Sequence, residues 1–98
     1  MCGRFAAARK LQELAKFYHA KYETGLSFGG SYNVAPTEFV PVILEHPDHE
    51  REIHLARFGI PMQMGAKKFP LLNLRSEKVE NREDFKSRRC VIPADGWR

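Results

Sequence analysis

Apolar positions change their period several times along the chain. Between Ala6 and Tyr22 they recur at spacings of three and four, placing Leu11, Leu14, Ala15, Tyr18 and Tyr22 on one stripe. That spacing predicts an amphipathic helix over 6–22. Gly25 and the pair Gly29-Gly30 end it and open a loop. Tyr32 to Thr37 leads out of that loop, with Pro36 fixing an extended entry. Phe39 to Glu45 is β-branched and apolar, and its Pro41 predicts an edge strand or a bulge. His46-Pro47-Asp48-His49 reads as a turn. Arg51 to Phe58 then alternates, with Ile53 and Leu55 on one face, so the two runs predict a β-hairpin.

The second half carries weaker signals. Gly59 to Pro70 reads as irregular, broken by Pro61 and Gly65 and carrying Met62, Met64 and the pair Lys67-Lys68. Leu71 to Leu74 predicts a short strand. Ser76 is placed to cap a short helix through Lys86, with Val79 and Phe85 turned inward. Cys90 to Pro93 predicts a last short strand, followed by a turn at Ala94-Asp95-Gly96. These elements make an α+β class, predominantly β, with one long N-terminal helix. A strand and turn just before Trp97-Arg98 would leave an open sheet edge, so the expectation is either that another segment completes the fold or that the chain is a fragment.

Composition narrows the classes. A chain of 98 residues, 43% hydrophobic, suits one small domain and not two. It holds no apolar run long enough to span a bilayer and no secretory leader pattern, which predicts a cytoplasmic, membrane-free protein. Two cysteines, Cys2 and Cys90, make no disulfide framework, and a reducing compartment keeps them as thiols. Sixteen Lys and Arg against twelve Asp and Glu give a net charge of +4, which favours a polyanionic partner without requiring one.

Cys2 carries the sharpest chemistry. It follows the initiator Met1 in the run Met1-Cys2-Gly3-Arg4-Phe5. Removal of Met1 exposes a 1,2-aminothiol, whose amine titrates near about 7.7–8.0 and whose thiol titrates near about 8.5. Both nucleophiles are then partly available at neutral pH. Together they can trap an aldehyde: the amine forms a Schiff base and the sulfur closes a five-membered ring.

Three more motifs follow in order. They are Tyr32-Asn33-Val34-Ala35-Pro36-Thr37, then Asn73-Leu74-Arg75-Ser76-Glu77, then Arg89-Cys90-Val91-Ile92-Pro93-Ala94-Asp95-Gly96-Trp97. With Met1 to Phe5 this order resembles the SRAP family, the SOS-response-associated peptidase domain, whose pattern is close to MCGRF, YNxAPT, NARSE and RCLIPADGFYEW. The resemblance implies an SRAP-like mixed sheet or open barrel with an N-terminal helix, residues 1–98 forming the N-terminal portion of a single domain. It implies binding of single-stranded DNA and capture of abasic sites, through Cys2, as a thiazolidine DNA–protein crosslink. A role for Cys2 in a thiol peptidase, acting on itself or on other chains, stays open, as does a truncated fragment that binds DNA without catalysis.

The resemblance also assigns residues. Cys2 is the covalent nucleophile, and no metal or other cofactor is needed. Arg4 would hold a phosphate and lower the thiol pKa. Asn73 would donate and accept hydrogen bonds beside the reacting sugar. The planar fork of Arg75 suits a DNA phosphate. Asn33 and Pro36 would border the DNA cleft, Pro36 against the bases. The family's acid–base glutamate and histidine belong to segments after the RCLIPADG stretch, and without them proton transfer slows by about 10²–10⁴-fold for each group. In place of the family's WGLIP segment the chain has Arg57-Phe58-Gly59-Ile60-Pro61.

The remaining candidates read as ordinary surface. His46, His49 and His54 cluster near a turn but lack the helical HExxH arrangement of a zinc site, so no metal is expected. His19 has no evident partner. Cys90 reads as a small buried strand residue. Lys67, Lys68, Arg82, Lys86, Arg88 and Arg89 suit a DNA path and a solvated face equally well. A monomer is expected.

Overall fold

The computed structural model describes residues 3–97, apart from the side chain of Asp84. Its elements run β1 (Phe5–Ala7), α1 (Leu11–Tyr18), β2 (Ser31–Val34), β3 (Phe39–Glu45), β4 (Arg51–Arg57), β5 (Ile60–Met64), β6 (Lys67–Leu71), α2 (Ser76–Val79), α3 (Glu83–Ser87) and β7 (Gly96–Trp97). The class is α+β and predominantly β, as the sequence predicts. The strands form three small antiparallel sheets and no closed barrel among the described residues: β2-β1-β7, β3-β4 and β5-β6.

The N-terminal helix is shorter than its apolar stripe suggests. Phe5 and Ala7 are both buried two residues apart, a strand period, because β1 is held by β2 on one side and β7 on the other. The helix begins only at Leu11, where the Glu13 carboxylate accepts the Lys10 N–H at 3.4 Å. It ends at Tyr18, with His19 in the left-handed region at φ 53°. Beyond it Lys21 is taken by the edge of β4, donating its N–H to the Arg51 carbonyl and accepting the N–H of Ile53. Tyr22 therefore leaves the helix, yet it still packs on the same core as Leu11 and Leu14.

The expected hairpin forms, with β4 ending at Arg57 one residue before the predicted Phe58, and its register runs from Phe39 opposite Arg57 to Glu45 opposite Arg51. Ile43 exchanges hydrogen bonds with Val91 on the side of β3 away from β4. Pro41 has the same parity, so its missing N–H faces that outer edge and costs the hairpin nothing. Two clusters make the core. Phe5, Ala7, Val34 and Val40 form one; Leu11, Leu14, Ile43 and Ile53 form the other; Phe28 packs on both. Each such large side chain contributes about 1.5–3 kcal/mol relative to exposure.

Five expectations for the second half are corrected. Residues 60–71 form a hairpin, not an irregular stretch, turned by Gly65 and Ala66 with Gly65 at φ 62°. Pro61 faces Pro70, and counting from the closing pair Met64–Lys67 puts them at a pair that exchanges no hydrogen bonds, so neither ring removes a needed donor. The predicted 71–74 strand shrinks to Leu71 at the end of β6. The predicted helix from Ser76 to Lys86 breaks into α2 and α3. Arg75 rather than Ser76 takes the N-cap position, and α2 buries no residue that could hold a longer helix. Val79 is half-buried, whereas Phe85 is exposed. Residues 90–93 form no strand, only the single bridge from Val91 to Ile43. The turn predicted at Ala94-Asp95-Gly96 instead leads directly into β7, which begins at Gly96.

Candidate functional site at the N-terminal strand

β1 is the middle strand of its sheet, so the N-terminal segment is fixed from both sides. Phe5 pairs with Val34 of β2 and with Trp97 of β7. The antiparallel register to β2 carries Gly3 and Arg4 along the side of the chain that follows Val34. Arg4 is exposed and Gly3 half-buried. Cys2, the predicted nucleophile, lies outside the described residues.

The segment after Val34 is a tight turn. Ala35 donates its N–H to the Glu38 carboxylate at 2.9 Å, and Glu38 returns its N–H to the Ala35 carbonyl at 3.2 Å. Thr37 sits at φ 76° and donates its N–H to the Phe58 carbonyl at 2.8 Å. These bonds anchor the motif to the end of β4. Pro36 is half-buried, and Asn33 is exposed on β2 with its N–H on the Ser31 hydroxyl at 3.1 Å.

Asn73 comes to the same end of β1. It lines a cleft of about 260 Å³ whose walls include Phe5, Phe58, Leu72, Ile92 and Trp97. Phe5 and Phe58 meet edge to face, with ring centroids 5.1 Å apart. The cleft is apolar apart from Asn73 and backbone, a setting in which one amide can orient a polar ligand strongly. Asn33, Pro36 and Arg75 are not among its walls. Arg75 lies exposed two residues beyond Asn73, at the start of α2. The structure thus unites Asn73 with the N-terminal strand, puts Asn33 and Pro36 on the neighbouring strand and turn, and leaves Arg75 outside the cleft.

Asp95 is the site residue that sequence reasoning missed. Its carboxylate accepts the Ala8 N–H at 2.8 Å and the Arg9 Nε–H at 2.9 Å, while its own N–H goes to the Ala6 carbonyl at 2.8 Å. The Ala8 hydrogen bond above all, with Arg9 beside it, holds the carboxyl below the usual Asp range. Three bonds clamp β7 to β1 and so fix the Trp97 wall. An acid flanked by turn formers just before a short strand was the available signal.

Cys90 is exposed, against the burial predicted for it. Partial desolvation nonetheless raises its thiol pKa, which disfavours the reactive thiolate. At the β3–β4 turn the histidines pair with carboxylates: His46 and His54 both reach Glu52, and His49 reaches Glu45. These contacts, led by His54, lower the Glu52 pKa, and the His49 contact lowers that of Glu45. Among the described residues no group of three or more metal-ligating side chains is assembled. The basic residues divide. Lys68 lines an open cleft with Arg57, Met62 and Phe69, whereas Arg82 and Arg88 flank another with Val79 and Phe85. Lys86 pairs with Glu83 at 3.6 Å, and Arg89 stacks on Phe85 at 4.3 Å. No helix among the described residues is long and apolar enough to cross a membrane.

Fold and site together define a small, open, predominantly β scaffold whose N-terminal strand leads to an apolar cleft marked by one amide. The model of the SRAP family, SOS response associated peptidase, matches residues 1–98, and the chain belongs to that family. It is 28% identical over 105 residues to the abasic site processing protein YoqW of Bacillus subtilis (strain 168), covering 99% of this chain and 46% of the relative. The abasic site processing proteins YobE and YoaM of the same organism are 27% and 29% identical over 105 residues, with 48% and 46% of their lengths covered. The chain therefore spans about half the length of these curated relatives. No solved structure matches it.

Proposed function

We propose that residues 1–98 are the N-terminal portion of a single SRAP domain that processes abasic sites in DNA, and that Cys2 is its covalent nucleophile. The observation that carries this reading is the family match over the whole chain, with Cys2 at the second position of its opening motif. The relatives' names as abasic site processing proteins support the substrate class.

The chemistry balances without a metal or a redox partner. Once Met1 is removed, the Cys2 amine attacks the aldehyde carbon of the ring-opened sugar. Water leaves and an imine forms. The sulfur then adds to the imine carbon while nitrogen takes the thiol proton, closing a thiazolidine. One water is lost overall. Arg4 and Arg75 hold phosphates of a single strand, Asn73 hydrogen-bonds beside the sugar, and Asn33 with Pro36 borders the bases. The chain acts as a cytoplasmic monomer on single-stranded DNA.

Denaturing gels test the reading. The chain freed of Met1 is expected to give a slower, heat-stable band with an abasic single strand and none with an intact strand. Cys2→Ala should lose that band while keeping non-covalent binding in fluorescence anisotropy. A Cys2→Ala chain that still crosslinks would overturn it. The word peptidase in the family description supports a second reading, Cys2 acting on peptide bonds. Loss of Met1 from the purified chain, with no aminopeptidase present, is its test.

A further inference from the structure

A second cleft opens between α1 and residues 93–95. It holds about 260 Å³ and is lined by the aromatic residues Phe17, Tyr18 and Phe28 together with Arg9 and Asp95. Ala94 lines this cleft and the Asn73 cleft alike, so the two adjoin. Phe17 is 72% exposed and meets Tyr18 edge to face, with ring centroids 4.9 Å apart. Such a contact leaves ring faces on which a planar ligand can stack. Arg9 reaches Asp95 through Nε alone, and among the described residues its two Nη groups have no partner. The Asp95 carboxylate takes the Arg9 Nε–H on one oxygen and the Ala8 N–H on the other, two of its roughly four acceptor sites. Those same bonds keep it ionised at neutral pH. Open donors therefore stand beside open acceptors at the mouth of an aromatic cleft.

We propose that this cleft is a binding site for a guanine base. Stacking on the aromatic residues is available to any base and supplies affinity without preference. The Arg9–Asp95 pair supplies the preference. Guanine presents N7 and O6 as neighbouring acceptors, the pattern a guanidinium fork reads best. Next to them it presents N1–H and the N2 amino group, two donors for one carboxylate. Adenine and cytosine offer the carboxylate a single amino group, and thymine a single ring N–H. The guanine can belong to a free nucleotide or to a single strand that also occupies the Asn73 cleft. For the strand, the inference rests on the proposed role on DNA and makes a guanine beside the lesion the favoured context. For the free nucleotide it stands without that role.

The test uses the Cys2→Ala chain, which keeps covalent chemistry out of the readout. Calorimetric titration with dGMP, dAMP, dCMP and dTMP should rank dGMP first by about fivefold or more. Phe17→Ala should weaken all four by about fivefold or more. Arg9→Lys keeps the charge but loses the planar fork, and should erase the guanine preference while the urea midpoint stays in place. Fluorescence anisotropy then compares abasic single strands whose lesion is flanked by guanine or by thymine. A strand preference that Arg9→Lys removes assigns the base to the strand; a dGMP preference with no strand preference assigns it to a free nucleotide. No guanine preference in either arm, or one that survives Arg9→Lys, overturns the proposal. Crosslinking of the same strands by the chain with Cys2 intact, scored separately, tells this failure from failure of the proposed function.

Discussion

Among the described residues, the nine non-proline apolar side chains of the buried core all lie in residues 5–53, whereas residues 60–97 bury only Pro93 and carry most of the large apolar side chains that face solvent. Both stretches contain a β-hairpin. In β3–β4 one hairpin packs on α1, and Val40, Val42, Ile43 and Ile53 are buried. In β5–β6 every residue is exposed except the half-buried Phe69 and Leu71. The difference teaches that similar backbone pairing is held by different forces. The first hairpin is fixed by a core; the second is held chiefly by its own ladder.

Truncation inside the core should show the contrast most strongly. Ile53 is 2% exposed and touches the second cluster, so Ile53→Ala is expected to cost about 2–5 kcal/mol. A urea midpoint that barely moves would break the comparison. The next largest effect lies at the junction. Gly59 joins β4 to β5 at φ 103°, and an added Cβ would meet Pro70 Cβ at 3.0 Å and Leu72 Cδ2 at 3.1 Å. Gly59→Ala should cost about 1–3 kcal/mol, read in the same melt.

Asp95 links the two regions and predicts a pH dependence. Its folded pKa is lowered, so its contribution is complete above the unfolded value of about 3.9 and is lost as pH falls through the folded value. Asp95→Asn should flatten that acid limb of the urea midpoint and speed exchange of the Ala8 amide at neutral pH. An unchanged acid limb would remove the clamp from the account. The smallest effect belongs to Met64, 74% exposed on β5: Met64→Ala should stay within about 0.5 kcal/mol.

What could be read in the sequence follows the same division. The β3–β4 hairpin was legible because an apolar, β-branched run is followed by a turn and by a second run in which Ile53 and Leu55 alternate, although no pairing register could be read from it. The long N-terminal helix was overread: Ala6 and Ala7 favour a helix locally, but pairing with β2 and β7 overrides that preference. The β5–β6 hairpin was hidden because it has no buried face to impose alternation, and its facing prolines mimic a loop. At the candidate site, motif order singled out Asn73, and the fold sets that residue in the cleft beside Phe5 of β1. The Asp95 clamp was hidden because its partners, Ala8 and Arg9, are far away in sequence and one of them is a backbone N–H.

The central claim is that Cys2 traps an abasic aldehyde. Intact mass spectrometry of the purified chain mixed with a single-stranded oligonucleotide bearing one abasic site tests it most directly. The account predicts a species that lacks Met1 and has the summed mass of chain and oligonucleotide less one water, absent from the Cys2→Ala mixture. A chain with Met1 removed that stays at its own mass, or an adduct that persists in Cys2→Ala, would contradict it.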